Sequence, residues 1–557
     1  MSTVSISKKI NLVTLLDHDW KPLSYEKALR ALAKLLMESP LEELVQALAE
    51  ISSVLHEKPS EEAENYLRQR FSSKEVINDI CPRDDEETIN YLFPYNALYI
   101  LNTLLKFNIQ LPPEEPFVKI LTVSERPSFE SSLRIHVLPI AEIFLLANQL
   151  VLYLEKDLQG VAFDYSRTRD QEEVFTALSK AKNLYDTPYF NDQFSRRFGY
   201  TIAQWESCMF ILLTAVKVAK PAIIELDGSF NNVQDEIDRN RVKILAKMLT
   251  FEAKGINTTI DDVSRILWDD FVLDDCCRSK PFLQVGQRYI CIRHDLLISS
   301  AGNFPYHHLF SIMDENEKEV LLKQFGEAFE KRYIPMISEK TFGQRIESYT
   351  FRKKPYRGNK LEDLFISITG QSKLILEIKS GRANDSVKRG LKQALIEKYI
   401  HLKSSSGKPK GIIQALRQAG KLRHDGFSGE IFTGIVFYNL PFNEEFDQLI
   451  AQEIEPTKEH KEYQSHPLNF PPIWMDILAY ELLLLAVQQG IDLYEMLKTL
   501  SALPPSATRR KIVSIMQNSG LKISIHHLYA EEIKRLQADC QAMLLPKSKA
   551  RYETNED

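Results

Sequence analysis

Three residues near the middle of the chain have the types and spacing for phosphate chemistry. They are Asp363, Glu377 and Lys379, set in EDLFISITGQSKLILEIKSG. LFISI and LILEI are apolar, β-branched runs on either side of TGQS, so a hairpin is expected. Side chains alternate along a strand. Leu374, Leu376 and Ile378 therefore share one face, and Ile375, Glu377 and Lys379 share the other. A three-residue loop at 369–371 would set Asp363 opposite Glu377, about 5 Å apart at Cβ. Two carboxylates offer hard oxygen ligands to Mg2+. A lysine beside them can orient or deprotonate a water and offset charge near a phosphate. A pair at a cleft is expected to tolerate substitution without loss of the fold. The plainer alternative is an ordinary ion pair between Glu377 and Lys379 on a solvated sheet face.

These residues need a rigid sheet, and the flanking sequence supplies candidates for it. Residues 1–310 read as mostly helical. Tyr25–Leu55 carries Ala28, Leu29, Leu32, Leu35 and Leu36 at helical spacing, with a break at Ser39-Pro40. Glu87–Leu105, Ile140–Leu154, Gln171–Leu184, Thr201–Val218 and Thr258–Val272 continue the pattern. Lys280–Ile298 predicts two short strands around Gly286, and Glu315–Ile334 predicts a strong helix. The texture then turns to β at Arg345–Arg352, Leu364–Ile368, Leu374–Lys379 and Phe432–Asn439. Helices are expected between them at about 386–403 and 409–422, joined by the flexible SSSGKPKG. From residue 446 the chain reads as helical again, with Trp474–Gln489 its most apolar helix.

The element order and motif resemble the PD-(D/E)xK, restriction-endonuclease-like nuclease superfamily across residues 317–440. FGEAFEKRYI would be the first helix and RIESYTFRK the first strand. Asp363 would fall on the second strand and Glu377-Ile378-Lys379 on the third, with KGIIQALRQAGKL as the next helix and FTGIVFYNLP as the closing strand. The resemblance implies a mixed sheet with an αβββαβ core, and Asp363 and Glu377 as ligands of Mg2+, for which Mn2+ can substitute. It implies that the Ile378 backbone carbonyl adds to the metal site and that Lys379 orients the attacking water. Glu330 matches the glutamate often seen on the first helix. Gln414 or Gln418 matches the glutamine on the following helix, with Gln393 competing. Glu347 is an alternative third carboxylate. Glu362 stands where the family has proline, and the insertion Arg382–Pro409 exceeds a minimal core.

Charge supports a polyanion site. Residues 341–424 hold 19 Lys+Arg and 6 Asp+Glu, a local +13 inside a chain of net charge −6. Arg352, Lys353, Lys354, Arg357 and Lys360 surround Tyr356, and Lys388, Arg389, Lys392 and Lys398 follow. Beyond them lie Lys408, Lys410, Arg417, Lys421 and Arg423. Counterion release on phosphate binding is the expected use of such a strip.

Composition closes other routes. The chain has 557 residues, 44% of them hydrophobic, with 29 Phe and 22 Tyr, which excludes disorder of the whole. No stretch approaches the ~18 apolar residues of a membrane span. There is no CxxC, and GxxxxGK[ST], GxSxG and HExxH are missing. No secretory signal is expected, and the six cysteines form no disulfide framework, so the protein is expected to be cytoplasmic. The sequence thus predicts a multidomain, predominantly α protein with an embedded α/β restriction-endonuclease-like domain. A mostly helical region at 1–312 handles recognition, regulation or assembly, the nuclease-like domain spans 313–445, helices span 446–545, and 546–557 is a tail. The expected function is metal-dependent hydrolysis of phosphodiester bonds in DNA, ahead of RNA, in a setting of prokaryotic anti-phage defence. Contacts with a second copy or partner chain would run through the helical regions. The alternative is a non-catalytic helical scaffold or nucleic-acid-binding protein.

Overall fold

The computed structural model describes residues 10–11, 24–57, 91–92, 94–111, 143, 146–147, 150, 171–219, 223–273, 280–292, 294–349, 364–380, 396, 412–438, 444–457 and 469–544. Among these, helices predominate. The first are α1 (Tyr25–Glu38) and α2 (Leu41–Glu57), broken at Ser39-Pro40 as the sequence suggests. Helix α3 (Pro94–Leu104) begins seven residues later than its apolar pattern, because Pro94 fits a first helical turn. Strand β1 (Phe107–Gln110) follows it. Then come α4 (Gln171–Tyr185), α5 (Pro188–Phe198) and α6 (Ile202–Val218). Thr201 caps α6 in a reciprocal box with Gln204.

Short strands punctuate the next stretch: β2 (Ile223–Glu225), then α7 (Glu236–Met248), β3 (Thr250–Glu252) and β4 (Ile256–Thr259). Helix α8 (Ile260–Leu273) starts two residues after its expected beginning, since 258–259 belong to β4, paired in parallel with β1. The hairpin expected around Gly286 is present as β5 (Phe282–Val285) and β6 (Arg288–Cys291), with Gly286 at φ +60°. Then α9 (His294–Ile312) leads to α10 (Glu315–Ala328), a five-residue π-helix (Phe329–Tyr333) and α11 (Ile334–Phe342). The single helix expected over Glu315–Ile334 is therefore interrupted by a wider turn.

The largest sheet has five strands. β7 (Ile346–Tyr349), β8 (Leu364–Thr369) and β9 (Ser372–Lys379) are antiparallel neighbours. After α12 (Ile412–His424), β10 (Glu430–Phe437) lies parallel to β9. Helix α13 (Glu444–Thr457) precedes β11 (Ile473–Asp476), which lies parallel to β10 at the edge, giving the order β11-β10-β9-β8-β7. The apolar pattern alone makes Trp474 part of a helix. Here the apolar run divides, with Ile473–Asp476 extended after Pro471-Pro472 and Asp476 capping α14 (Ile477–Gln488) through Ala479 N. The chain closes with α15 (Leu493–Ser501), α16 (Pro505–Asn518), a 3-10 turn (Ile525–Tyr529) and α17 (Ala530–Leu544).

One hydrophobic core runs from Leu178 to Cys540 and takes in α4, α6, α9, one face of the large sheet and the closing helices. The expected division at 312/313 falls inside this continuous core. A second core joins α1, α2, α3 and α8 with Leu283, Val285, Ile290 and Ile292. No single described helix is long and apolar enough to cross a membrane. The pair α5 and α6, bent by 63°, meets that length and composition only when taken together, and its Phe190, Phe194, Ile202 and Trp205 are core residues.

Candidate active site at the end of the central strand

Strand β9 sits between β8 and β10, so its backbone is fixed on both sides. Its register with β8 runs Leu364↔Leu376, Phe365↔Ile375, Ile366↔Leu374. That is the register the expected hairpin implies, although the turn is Gly370-Gln371, with a shift between Ser367 and Thr369. Asp363, one residue before Leu364, lies outside the described residues.

Alternation assigns the two faces of β9. Leu374, Leu376 and Ile378 enter the large core. Ile375 packs on the other face with Phe365, Ala415, Ala419 and Ile431, under α12. Glu377 and Lys379 continue this α12 face. Glu377 is 0% exposed, and Lys379 Nζ bonds to its Oε1. The side chain of Lys379 is only 16% exposed. An ion pair on a solvated face is thereby overturned, because both side chains are shielded on the face where α12 packs over Ile375. Burial also revises the expectation that either position tolerates truncation. Removing one partner of a buried pair leaves an uncompensated charge in a low-dielectric site.

Glu330 arrives at the same strand end from the other side. It lies on the π-helix, and its Oε1 accepts hydrogen bonds from Ser380 N and Ser380 Oγ, both at 2.8 Å. Ser380 directly follows Lys379. The approach is close because α10 presents Gly326 there: a Cβ on Gly326 would meet Ser380 Oγ at 2.9 Å. Glu330 thus reaches the strand end from the face opposite Glu377 and Lys379. The carbonyl of Lys379 accepts from Tyr438 N at 3.0 Å, and Tyr438 Oη donates to Asn303 Oδ1 at 2.7 Å. Phe325 and Phe329 meet the Tyr438 ring edge-on. Backbone and rings together hold the end of β9.

The helix packed on this face carries the expected glutamines. Gln414 is half-buried and Gln418 buried, one turn apart on α12. Gln393 lies outside the described residues, as do Glu362 and the side chain of Glu347. Thr433 belongs to no motif, so sequence reasoning misses it. It is 0% exposed on β10, and its Oγ1 has no hydrogen-bond partner among the described residues. In register it is the partner of Ile375 and so lies on the α12 face, one pleat from Glu377. It is the one uncharged polar side chain in EIFTGIVF, and that contrast is the available signal.

Arg352, Lys353, Lys354, Arg357, Lys360, Lys388 and Arg389 all lie outside the described residues. Two basic residues nearby are committed to structure. Arg423 donates to the carbonyls of Phe427 and Gly429 and to Asn469, closing the turn into β10. Lys373 Nζ sits 4.8 Å from the Phe365 ring centroid and 5.1 Å from that of Phe427.

As to a metal, no group of three or more His, Cys, Asp or Glu side chains able to hold one occurs among the described residues. Glu377 contributes a carboxylate of the type a hard cation takes, with the Ile378 backbone beside it. His308 is packed into the aromatic core. It stacks on Phe304 and lies against Phe198, and burial pushes its pKa down to about 4. No family model matches the chain, and no curated protein and no solved structure matches it.

Proposed function

We propose that the chain is a metal-dependent nuclease whose site lies at the carboxyl end of β9. One observation carries the reading: a Glu-x-Lys pair is buried on the sheet face that a helix packs against, on the central strand of a mixed sheet whose elements run helix, three strands, helix, strand. A helix–sheet interface is ordinarily apolar. An acid and a base placed there, with Gln418 and Thr433 on the facing and neighbouring elements, suit chemistry better than packing.

In this reading Glu377 supplies a carboxylate to Mg2+, together with Asp363 and the Ile378 carbonyl. The bound cation would supply Lewis-acid stabilisation of charge developing on the phosphate. Lys379 holds and orients the attacking water and offsets negative charge beside the phosphodiester. Glu330 holds Ser380 and so fixes the strand end. The strip from Arg352 to Arg389 carries the phosphate backbone of DNA. The helical regions supply recognition, regulation or assembly contacts, and prokaryotic anti-phage defence is the setting such a combination suits.

The test is incubation of the full chain with supercoiled plasmid, single-stranded DNA and RNA. Mg2+ or Mn2+ is added, with EDTA as control. Cation-dependent cleavage of one of these is expected. Binding without cleavage under every condition would replace this reading with that of a non-catalytic nucleic-acid-binding scaffold.

A further inference from the structure

The helix that delivers Glu330 is irregular for an identifiable reason. Pro335 sits just inside α11. A proline has no N–H to donate, and its ring clashes with the carbonyl four residues earlier, here Lys331. The helical run does not stop. It widens into the π-helix Phe329–Tyr333, closed by Ile334 N–H to Phe329 O. Such turns recur at functional sites.

Both ends of this turn are tied down. At one end Glu330 accepts from Ser380 N and Oγ. At the other, Tyr333 Oη donates to Glu481 Oε1 at 2.5 Å and contacts Tyr529 Oη. Tyr529 Oη donates to the same Glu481 oxygen at 2.8 Å, and Lys180 Nζ lies 2.8 Å from it. Tyr333, Tyr529 and Glu481 are all 0% exposed. The network joins α4, the π-helix, α14 and the 3-10 turn before α17. A hydrogen-bonded network of this kind specifies one arrangement of the elements it links.

We propose that Tyr333 and Pro335 are positioning residues. The proline-forced π turn, clamped through Tyr333 to Glu481, sets the helix rotation at which Glu330 grips Ser380 and steadies the strand end bearing Glu377 and Lys379. The catalytic meaning of this rests on the nuclease reading, but the mechanical coupling does not.

The experiment is amide hydrogen exchange resolved at Ser380, on wild type, Glu330→Ala, Tyr333→Phe and Pro335→Ala. Melting curves and cleavage kinetics run alongside. All three variants should exchange the Ser380 amide about tenfold faster, on the scale of one missing hydrogen bond, while Leu374–Ile378 keep their protection. Cleavage should show a lower kcat at unchanged KM. The inference is overturned if Glu330→Ala leaves Ser380 protected. It is equally overturned if Glu330→Ala exposes Ser380 but neither folded Tyr333→Phe nor folded Pro335→Ala does. Faster exchange in all three variants, with no cleavage by wild type, would sustain the coupling and remove the nuclease reading alone.

Discussion

Glu377 and Lys379, two residues apart on β9, bond to each other on the sheet face that α12 packs against, with the carboxylate wholly shielded from water. The pair is therefore a stability element as well as a candidate site. Lys379→Ala should destabilise the fold by about 3–5 kcal/mol, because it removes the ammonium bonded to a buried carboxylate. The double variant Glu377→Gln, Lys379→Met should recover most of that loss, since the buried charge leaves with its partner. Urea denaturation of the three proteins checks this. Equal stability of wild type and Lys379→Ala would show that the pair with Lys379 contributes nothing to holding the buried carboxylate.

Thr433 gives the opposite sign. Its hydroxyl is buried and without a partner among the described residues. Thr433→Val keeps the shape and removes the desolvated hydroxyl. It should raise stability by about 1–3 kcal/mol. A melting temperature below that of wild type would show that the hydroxyl is satisfied in solution.

Glu206 predicts a pH dependence. Burial raises its pKa from 4.5 to about 7, although Arg535 lies 3.1 Å away and Lys182 4.0 Å away. The folded state then holds a proton that the unfolded state releases. Stability should fall as pH rises from about 4.5 to about 7, by up to roughly 3 kcal/mol, and level off above. Glu206→Gln should flatten that window. Denaturation midpoints at pH 5, 6, 7 and 8 read the effect, and an unchanged slope in Glu206→Gln would assign it elsewhere.

The basic strip predicts a salt dependence. Charge reversal at Arg352, Lys353 and Lys354 together should weaken nucleic-acid binding. It should also flatten the plot of log affinity against log salt by about one unit for each phosphate no longer neutralised. Identical affinity and slope in the reversed protein would take this strip out of the interface.

What the sequence discloses depends on how local the cause is. The hairpin register and the shared face of Glu377 and Lys379 follow from alternation and near-neighbour residues, and both are present. The burial of Glu377 is not legible, because it depends on which sheet face α12 covers. Trp474 misleads for a different reason: a short apolar run suits a buried strand and a buried helix equally. Pro335 announces a disturbance but not its form, since a proline can end, kink or widen a helix. The partnership of Lys180 with Glu481 spans 301 residues, which no local pattern foretells.

The central claim is that Lys379 performs chemistry beyond pairing with Glu377. The most direct measurement is cleavage of plasmid in Mg2+ by wild type and folded Lys379→Met, at a temperature where melting curves show both intact. Loss of about 10²–10⁴-fold in rate with nucleic-acid binding retained is the predicted result. Cleavage by folded Lys379→Met at the wild-type rate would contradict the account.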